Sequence, residues 1–367
     1  MNIQLTKSQS GLDGVPAAET VLSHVDGERG ELIIAGEHVG ELAGKASFEG
    51  VTARLWNGAT LRSLNEANVR VSLGGARERA FARLPELLPP TRGLSIVDGF
   101  RAAVAGLRAE NGLEHEATIV GAFPVIAGAL VQQASGHAPI APDPNTSHAA
   151  DTLHMLLARK PEPPEVAALD AYFVTVCDHG MNASTFATRV VASTQADLFA
   201  AVTAGYCALT GPLHGGAPEP VLKMLEAIGK RERIKPWVDA ALGRGERLMG
   251  FGHRIYRVRD PRADVLKAAI ERLAAGGAEL PFASEVEAYI REALRRKNPS
   301  RPLETNVEFF TAILLDALAI PRQAFTPIFA VARAAGWTAH AREQQRTGRL
   351  IRPSSSYIGP LSDASRE

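Results

Sequence analysis

The sequence predicts an all-α protein of two lobes with a small N-terminal β-hairpin, and three observations carry that expectation. Apolar residues recur at spacings of three and four through most of the chain. Strands and helices do not alternate as a parallel sheet would require. Clusters of proline and glycine divide the helical segments into two unequal sets. Taken in order, "GELIIAGEHVGEL" (30–42) alternates short apolar residues with glycines and reads as the hairpin. Helical spacing follows in "SFEGVTARLWNG", "DGFRAAVAGLRAENG", "PEVAALDAYFVTVCDHG", "PVLKMLEAIG", "RADVLKAAIERLAAGG", "SEVEAYIREALRRKN", "NVEFFTAILLDALAIP" and "TPIFAVARAAGWTAHAREQQR". The apolar run from Ala117 to Val131 contains Pro124 and is shorter than a bilayer span, so it reads as a buried helix. "TGPLHGGAPEP" and "KNPSRPLETN" bracket a stretch of domain size. They place a small helical lobe at 213–319 inside a large helical domain built from 1–212 and 320–367.

Charge and composition narrow the function classes. Forty basic residues cancel forty acidic ones among 367, so no overall field gathers nucleic acid or anionic lipid, and any anion site is local. A hydrophobic share of 46% is too high for a disordered chain. The polar start lacks the pattern of a signal peptide, and no membrane segment is predicted. Cys177 and Cys207 have no C-x-x-C spacing, fit a reducing cytoplasm, and read as buried small hydrophobes. Arg342, Arg346, Arg349 and Arg352 form a basic stripe at helix-like spacing, which the balanced charge assigns to a subunit contact or phosphate site rather than to nucleic acid.

The candidate chemistry gathers around three histidines, each at a helix boundary where backbone groups are unpaired. His253 lies in "GFGHRIYRVRDPRA", where Gly250 and Gly252 permit a close backbone approach and Arg254, Arg257, Arg259 and Arg262 follow. Asp260 as N-cap and Pro261 at the first position open a helix there, and Gly276 ends it. A cation at Arg262 in the first turn opposes the macrodipole by up to about 1 kcal/mol; a bound anion would reverse that sign, and a swing into solvent would relieve it. His214 stands on the Gly/Pro turn of "TGPLHGGAPEP", and His179 in "VCDHGMNAST" ends one helix and faces the cap of the next. Each histidine also fits a purely structural hydrogen bond. Arg333, in a helix whose start is assigned to Thr326 and Pro327, has no acid three or four residues away, so it needs a distant carboxylate, solvent or a ligand. "TNVE" fits a capping box with Thr305 as N-cap and Glu308 reaching back, yet a carboxylate at the mouth of an apolar helix is also where a general base is held partly dehydrated.

Together these segments resemble the citrate synthase family. "GPLHGGA", "GFGHRIYRVRDPRA" and "NVEFF" match its catalytic segments in order, and "APDPNTSHAADTLHML", "DHGMNAST" and "FTPIFAVARAAGWTAH" match flanking stretches. The resemblance implies a two-lobed helical homodimer that condenses oxaloacetate with acetyl-CoA and hydrolyses the thioester to citrate and CoA. It implies Glu308 as base, His214 as donor to the thioester oxygen, and His253 as the group that polarises and protonates the ketone. His179, Arg262, Arg333 and Arg352 of the partner subunit match oxaloacetate ligands, and Arg257 matches a CoA phosphate contact. The large lobe would dimerise and hold oxaloacetate, and the small lobe would be mobile and hold acyl-CoA. Acyl-CoA is a substrate, and no separate cofactor, metal, nucleic acid or membrane is expected. Guanidinium groups suit this task because oxaloacetate is a dianion, CoA is polyanionic, and Arg grips carboxylates bidentately.

Glu308 stands where the family usually has Asp, Pro218 where Asn is common, and "RPSSS" lacks a basic residue after the Arg-Pro pair. Three alternatives follow. A 2-methylcitrate synthase would use propionyl-CoA with the same residues. A weakly active relative would bind ligands, its base displaced by the added methylene of Glu308. A metal hydrolase would use His179, His214, His253 and Glu308, although their spacing is unlike common zinc sites.

Overall fold

The computed structural model describes residues 12, 14–109, 114–214, 218–273, 279–300 and 303–359. It begins with a three-stranded antiparallel sheet, β1 (Ser23–Asp26), β2 (Glu31–Ile34) and β3 (Glu37–His38), in which Ser23 pairs with Ile34 and Ile34 with Glu37. The expected hairpin is β2 with β3. Strand β1, "SHVD", has only one apolar side chain and shows no alternation to betray it. The helices then run α1 (Val39–Leu42), α2 (Phe48–Thr60), α3 (Glu66–Ala82), α4 (Leu84–Leu87), α5 (Ile96–Ala105), α6 (His115–Ala134), α7 (His148–Leu157) and α8 (Pro163–Val176). They continue with α9 (Ala183–Ser193), α10 (Leu198–Leu209), α11 (Pro218–Ile228), α12 (Ile234–Gly243), α13 (Pro261–Leu273), α14 (Glu279–Lys297), α15 (Val307–Ala317) and α16 (Phe325–Thr347). The all-α expectation therefore holds.

Side-chain caps start most of the long helices: Ser47, Ser95, Ser147, Asn182 and Asp197 each accept a backbone N–H of the first turn. Two helices, α6 and α16, are buried on nearly every face and form the axis of the core. Helix α6 runs through Pro124 without stopping and, among the described residues, is the one helix long and apolar enough to cross a membrane; α3, α5, α7, α10 and α16 cover it. From 213–319, α11 packs on α15 and α12 on α14, while α13 packs on α15 and also on α1 and α8 of the preceding part.

Several local expectations need correction. Helix α16 starts at Phe325, ahead of the expected Thr326–Pro327 cap, because a 3-10 turn over Arg322–Ala324 leads straight into it. Pro327 is accommodated in the first turn, where its missing N–H has no helical acceptor. The basic stripe is not one helical face: Gly348 is extended and ends α16, so Arg349 and Arg352 lie on an exposed tail. Arg342 meanwhile pairs with Glu116, and Arg346 donates to the Ala59 carbonyl. Cys177 is buried as expected, whereas Cys207 is exposed. Gly276 lies outside the described residues.

Helix α16 comes unusually close to the end of α8 at Gly336. A Cβ there would lie 2.3 Å from the Cys177 carbonyl oxygen and 2.8 Å from Asp178 Oδ1, both rigidly held. Gly336→Ala is expected to destabilise the fold by about 1–3 kcal/mol through overpacking. Urea unfolding measures this, and an unchanged midpoint would contradict the close approach.

Candidate active site

The carboxyl end of α8 delivers the first histidine. Asp178, fully buried, accepts from His340 Nε2 at 3.1 Å, and His340 Nδ1 faces Arg189 Nη1 at 2.8 Å. Arg189 can only donate, so Nδ1 accepts and the ring proton points from Nε2 to Asp178. Arg189 is in turn paired with Glu343 at 2.6 Å. Burial alone would push Asp178 up, but the bonds from His340 and Ser23 hold it below the usual carboxylate range. Gly180 turns the chain with φ of +56° and donates its N–H to Ser23 Oγ in β1 at 3.1 Å. His179, between them, is buried, and its Nε2 lies 3.1 Å from the Tyr256 hydroxyl. Burial, then the charge of Arg262, keeps this imidazole neutral, its pKa well below the ordinary value.

The second histidine and the acid come from two facing segments. Gly250 and Gly252 both have φ of +83°, and a Cβ on Gly250 would stand 2.8 Å from Phe309 Cβ. This tight path lets the Gly250 carbonyl accept from Asn306 N and Gly252 N donate to the Glu304 carbonyl. The His253 loop is thereby tied to the entry of α15. His253 Nδ1 accepts backbone N–H groups from Ile255 and Tyr256, each at 3.1 Å, so the neutral ring must carry its proton on Nε2. Burial, reinforced by Arg262, lowers its pKa to about 4.

The capping box does not form. Asn306, a better cap than Thr305, accepts from Glu308 N, while the Thr305 hydroxyl donates to Glu287. Glu308 is thus released from capping, and its Oε2 is out of solvent with no hydrogen-bond partner. Burial raises its pKa to about 7, helped by Asp260 and opposed by Arg262 and Arg333.

Arg262 neither swings into solvent nor waits alone for an anion. Asp260 caps α13 through Arg262 N at 3.0 Å and grips the guanidinium through Nε at 2.9 Å and Nη2 at 2.7 Å. The pair is buried, and although burial disfavours the cation, Asp260 raises its pKa above the ordinary value. Arg333 is the uncompensated cation: 1% exposed, it donates Nε to the Val176 carbonyl and stacks 4.7 Å from the Phe329 ring. Among the described residues no carboxylate lies within ion-pair distance of it. Burial lowers its pKa to about 10.

His214 closes the group. Ser184 N–H donates to its Nε2 at 3.3 Å, with Ser184 Oγ 2.8 Å away, so the ring proton is on Nδ1. Burial and then Arg333 lower its pKa to about 4. The His179 ring lies 5.7 Å from that of His253, Arg262 and Arg333 both act on His179 and Glu308, and Arg333 also acts on His214, so these side chains lie near one another. They do not assemble as a metal-ligand cluster among the described residues. Arg257 and Arg352 are not brought in: Arg257 is exposed, 3.9 Å from Glu28, and Arg352 lies on the exposed tail.

Three residues of the cleft carried no role in the sequence reading. Ser184 and Tyr256 lie inside the motifs that hold His179 and His253, but neither spacing nor polarity marks them. Tyr172 is fully buried with an unpartnered hydroxyl, and burial, then Glu308, pushes its pKa well up.

The chain is similar to known proteins over nearly its whole length. The family model described as "Citrate synthase, C-terminal domain" matches residues 11–354. A citrate synthase of Synechocystis sp. is 36% identical over 375 residues, covering 98% of this chain and 94% of that protein. A 2-methylcitrate synthase of Mycobacterium tuberculosis is 34% identical over 370 residues, covering 96% of this chain and 90% of that protein. The solved ternary complex of carboxymethyl coenzyme A and oxaloacetate with citrate synthase from Thermoplasma acidophilum matches with a TM-score of 0.85 at 27% identity, covering 97% of this chain and 99% of that one.

The buried Glu308 carboxyl has a thermodynamic consequence. Its folded pKa of about 7 exceeds the exposed value of 4.5, so its contribution to stability is full below pH 4.5 and is lost as pH rises through 7. Glu308→Gln removes this loss and is expected to be more stable than the unsubstituted protein at pH 8 by up to roughly 3 kcal/mol, with little gain at pH 4.5. Urea unfolding at the two pH values checks it; equal gains at both would remove the titration as the cause.

Proposed function

The chain belongs to the citrate synthase family, and from that premise we propose that it condenses oxaloacetate with an acyl-CoA, acetyl-CoA giving citrate, with release of CoA. One observation carries the reading: a half-buried carboxylate with one oxygen orphaned and out of solvent, Glu308, feels the charge of a buried guanidinium, Arg333, that has no acid within ion-pair distance among the described residues. The first is a base awaiting a proton, the second a cation awaiting an anion.

Arg333 and Arg262, with His179, take the carboxylates of oxaloacetate, and Arg352 of the partner subunit completes the set in a homodimer. Glu308 removes a proton from the methyl carbon next to the thioester. The Nδ1–H of His214 stabilises the oxyanion that develops, and the resulting carbon attacks the ketone of oxaloacetate. The ketone oxygen takes up the Nε2 proton of His253 as the carbon–carbon bond forms. Water then adds to the thioester carbonyl, the C–S bond breaks, and CoA leaves as the thiol. Arg257 contributes to holding CoA phosphate, and the 213–319 lobe closes over the thioester in a cytoplasmic enzyme. A base with a pKa near the working pH suits proton abstraction, which favours the enzyme over the ligand-binding alternative.

The second reading, 2-methylcitrate synthase, is favoured by one fact: relatives of both names match at nearly equal identity, 36% and 34%. Propionyl-CoA differs by one methylene, worth only about 1–3 kcal/mol of discrimination. A thiol-release assay with oxaloacetate and each acyl-CoA is expected to show turnover, its larger kcat/KM naming the donor; no thiol from either would exclude the condensation. The pH profile is expected to fall about tenfold per unit below pH 7 as Glu308 protonates. No second limb is expected between pH 5 and 8 from His214 or His253, whose pKa values are about 4. A flat profile from pH 5 to 8 would remove Glu308 as the base.

A further inference from the structure

We propose that Tyr256 is a positioning residue: its phenol donates to Nε2 of His179 and so fixes that imidazole with its proton on Nδ1, aimed as a donor at a substrate carboxylate. The inference rests on the proposed binding of oxaloacetate and assigns a residue to it. Tyr256 is the one inward side chain of its segment, 4% exposed between Ile255 and Val258 at 42% each, with Arg257 also exposed. Its hydroxyl lies 3.1 Å from His179 Nε2, and its ring stands edge-on to His179 at 5.6 Å, tilted against His253 at 4.7 Å, and 5.9 Å from the Arg262 guanidinium.

The direction of the hydrogen bond follows from the charges around it. His179 is neutral, so one ring nitrogen donates and the other accepts. Were Nε2 to donate to the phenol, Nδ1 would present a lone pair to a cleft that Arg262 and Arg333 prepare for an anion, and a carboxylate would be repelled. With the phenol as donor, Nδ1, which has no hydrogen-bond partner among the described residues, becomes an N–H available to the ligand. Burial holds the phenol pKa above its ordinary value, so the donor proton is retained. The same residue's backbone N–H sets the opposite tautomer on His253.

The phenol–imidazole distance is itself set by the N-terminal sheet. Arg257 N donates to the Gly27 carbonyl at 2.9 Å, and a Cβ on Gly27 would stand 2.3 Å from the Ile255 oxygen. At its other end the sheet holds Gly180 through Ser23 Oγ. One small sheet therefore registers both loops.

Tyr256→Phe keeps the ring and deletes the donor. The expected result is an oxaloacetate KM, and a calorimetric oxaloacetate Kd, raised about tenfold, with kcat and the acyl-CoA KM within about twofold and the unfolding temperature unchanged. An oxaloacetate KM and Kd within twofold of the parent protein, or a fall in kcat alone, would overturn the assignment. A parent protein that is active while the variant matches it removes only Tyr256; a parent that neither releases thiol nor binds oxaloacetate removes the reaction as well.

Discussion

The Asp260 carboxylate is the constraint on which the cleft depends. It receives four hydrogen bonds, three from Arg262 and one from Val307 N at the start of α15. One side chain thus starts α13, neutralises a buried cation and docks the helix that carries Glu308. The geometry matters more than the attraction. A buried ion pair roughly offsets its own desolvation, but a partner removed leaves an uncompensated charge costing about 3–5 kcal/mol. Asp260 converts that penalty into order, because Arg262 can be kept dehydrated and charged only in this one arrangement.

Backbone amides provide a second kind of order. The N–H groups of Ile255, Tyr256 and Ser184 can only donate, so they decide which nitrogen of His253 and His214 holds the proton without any ionisable partner. Burial then keeps both rings neutral. A neutral imidazole is a weaker acid than imidazolium, but it draws no carboxylate of its own toward the ring. Glu308 is the counterpart: burial raises it until its proton affinity suits a base at neutral pH.

The helical architecture was legible because spacings of three and four persist over long segments, and the cleft was legible because its histidines lie in motifs with few alternatives. Other features are decided by competition between neighbours. "TNVE" contains two possible caps, and Asn306 won over Thr305, which freed Glu308. The sequence leaves Arg262 a choice between solvent and a ligand, while its partner, Asp260, stands two residues away with a capping role of its own. Tyr256 and Tyr172 are invisible to periodicity, because one lies in a loop and the other on the last turns of α8, where every residue from Ala171 on is buried. Arg257 and Arg352 face solvent.

Helix α16 has a mechanical meaning beyond its place in the core. Its 23 residues form a single rod about 35 Å long. Arg333 lies on its first half, His340 and Glu343 in the buried network follow two turns later, and the tail with Arg352 leaves from its end. Such a rod bends little, so a tug at the tail arrives at Arg333 as a shift of the whole lever rather than as local slack. Grip on that tail and tension at Arg333 are therefore two ends of one beam.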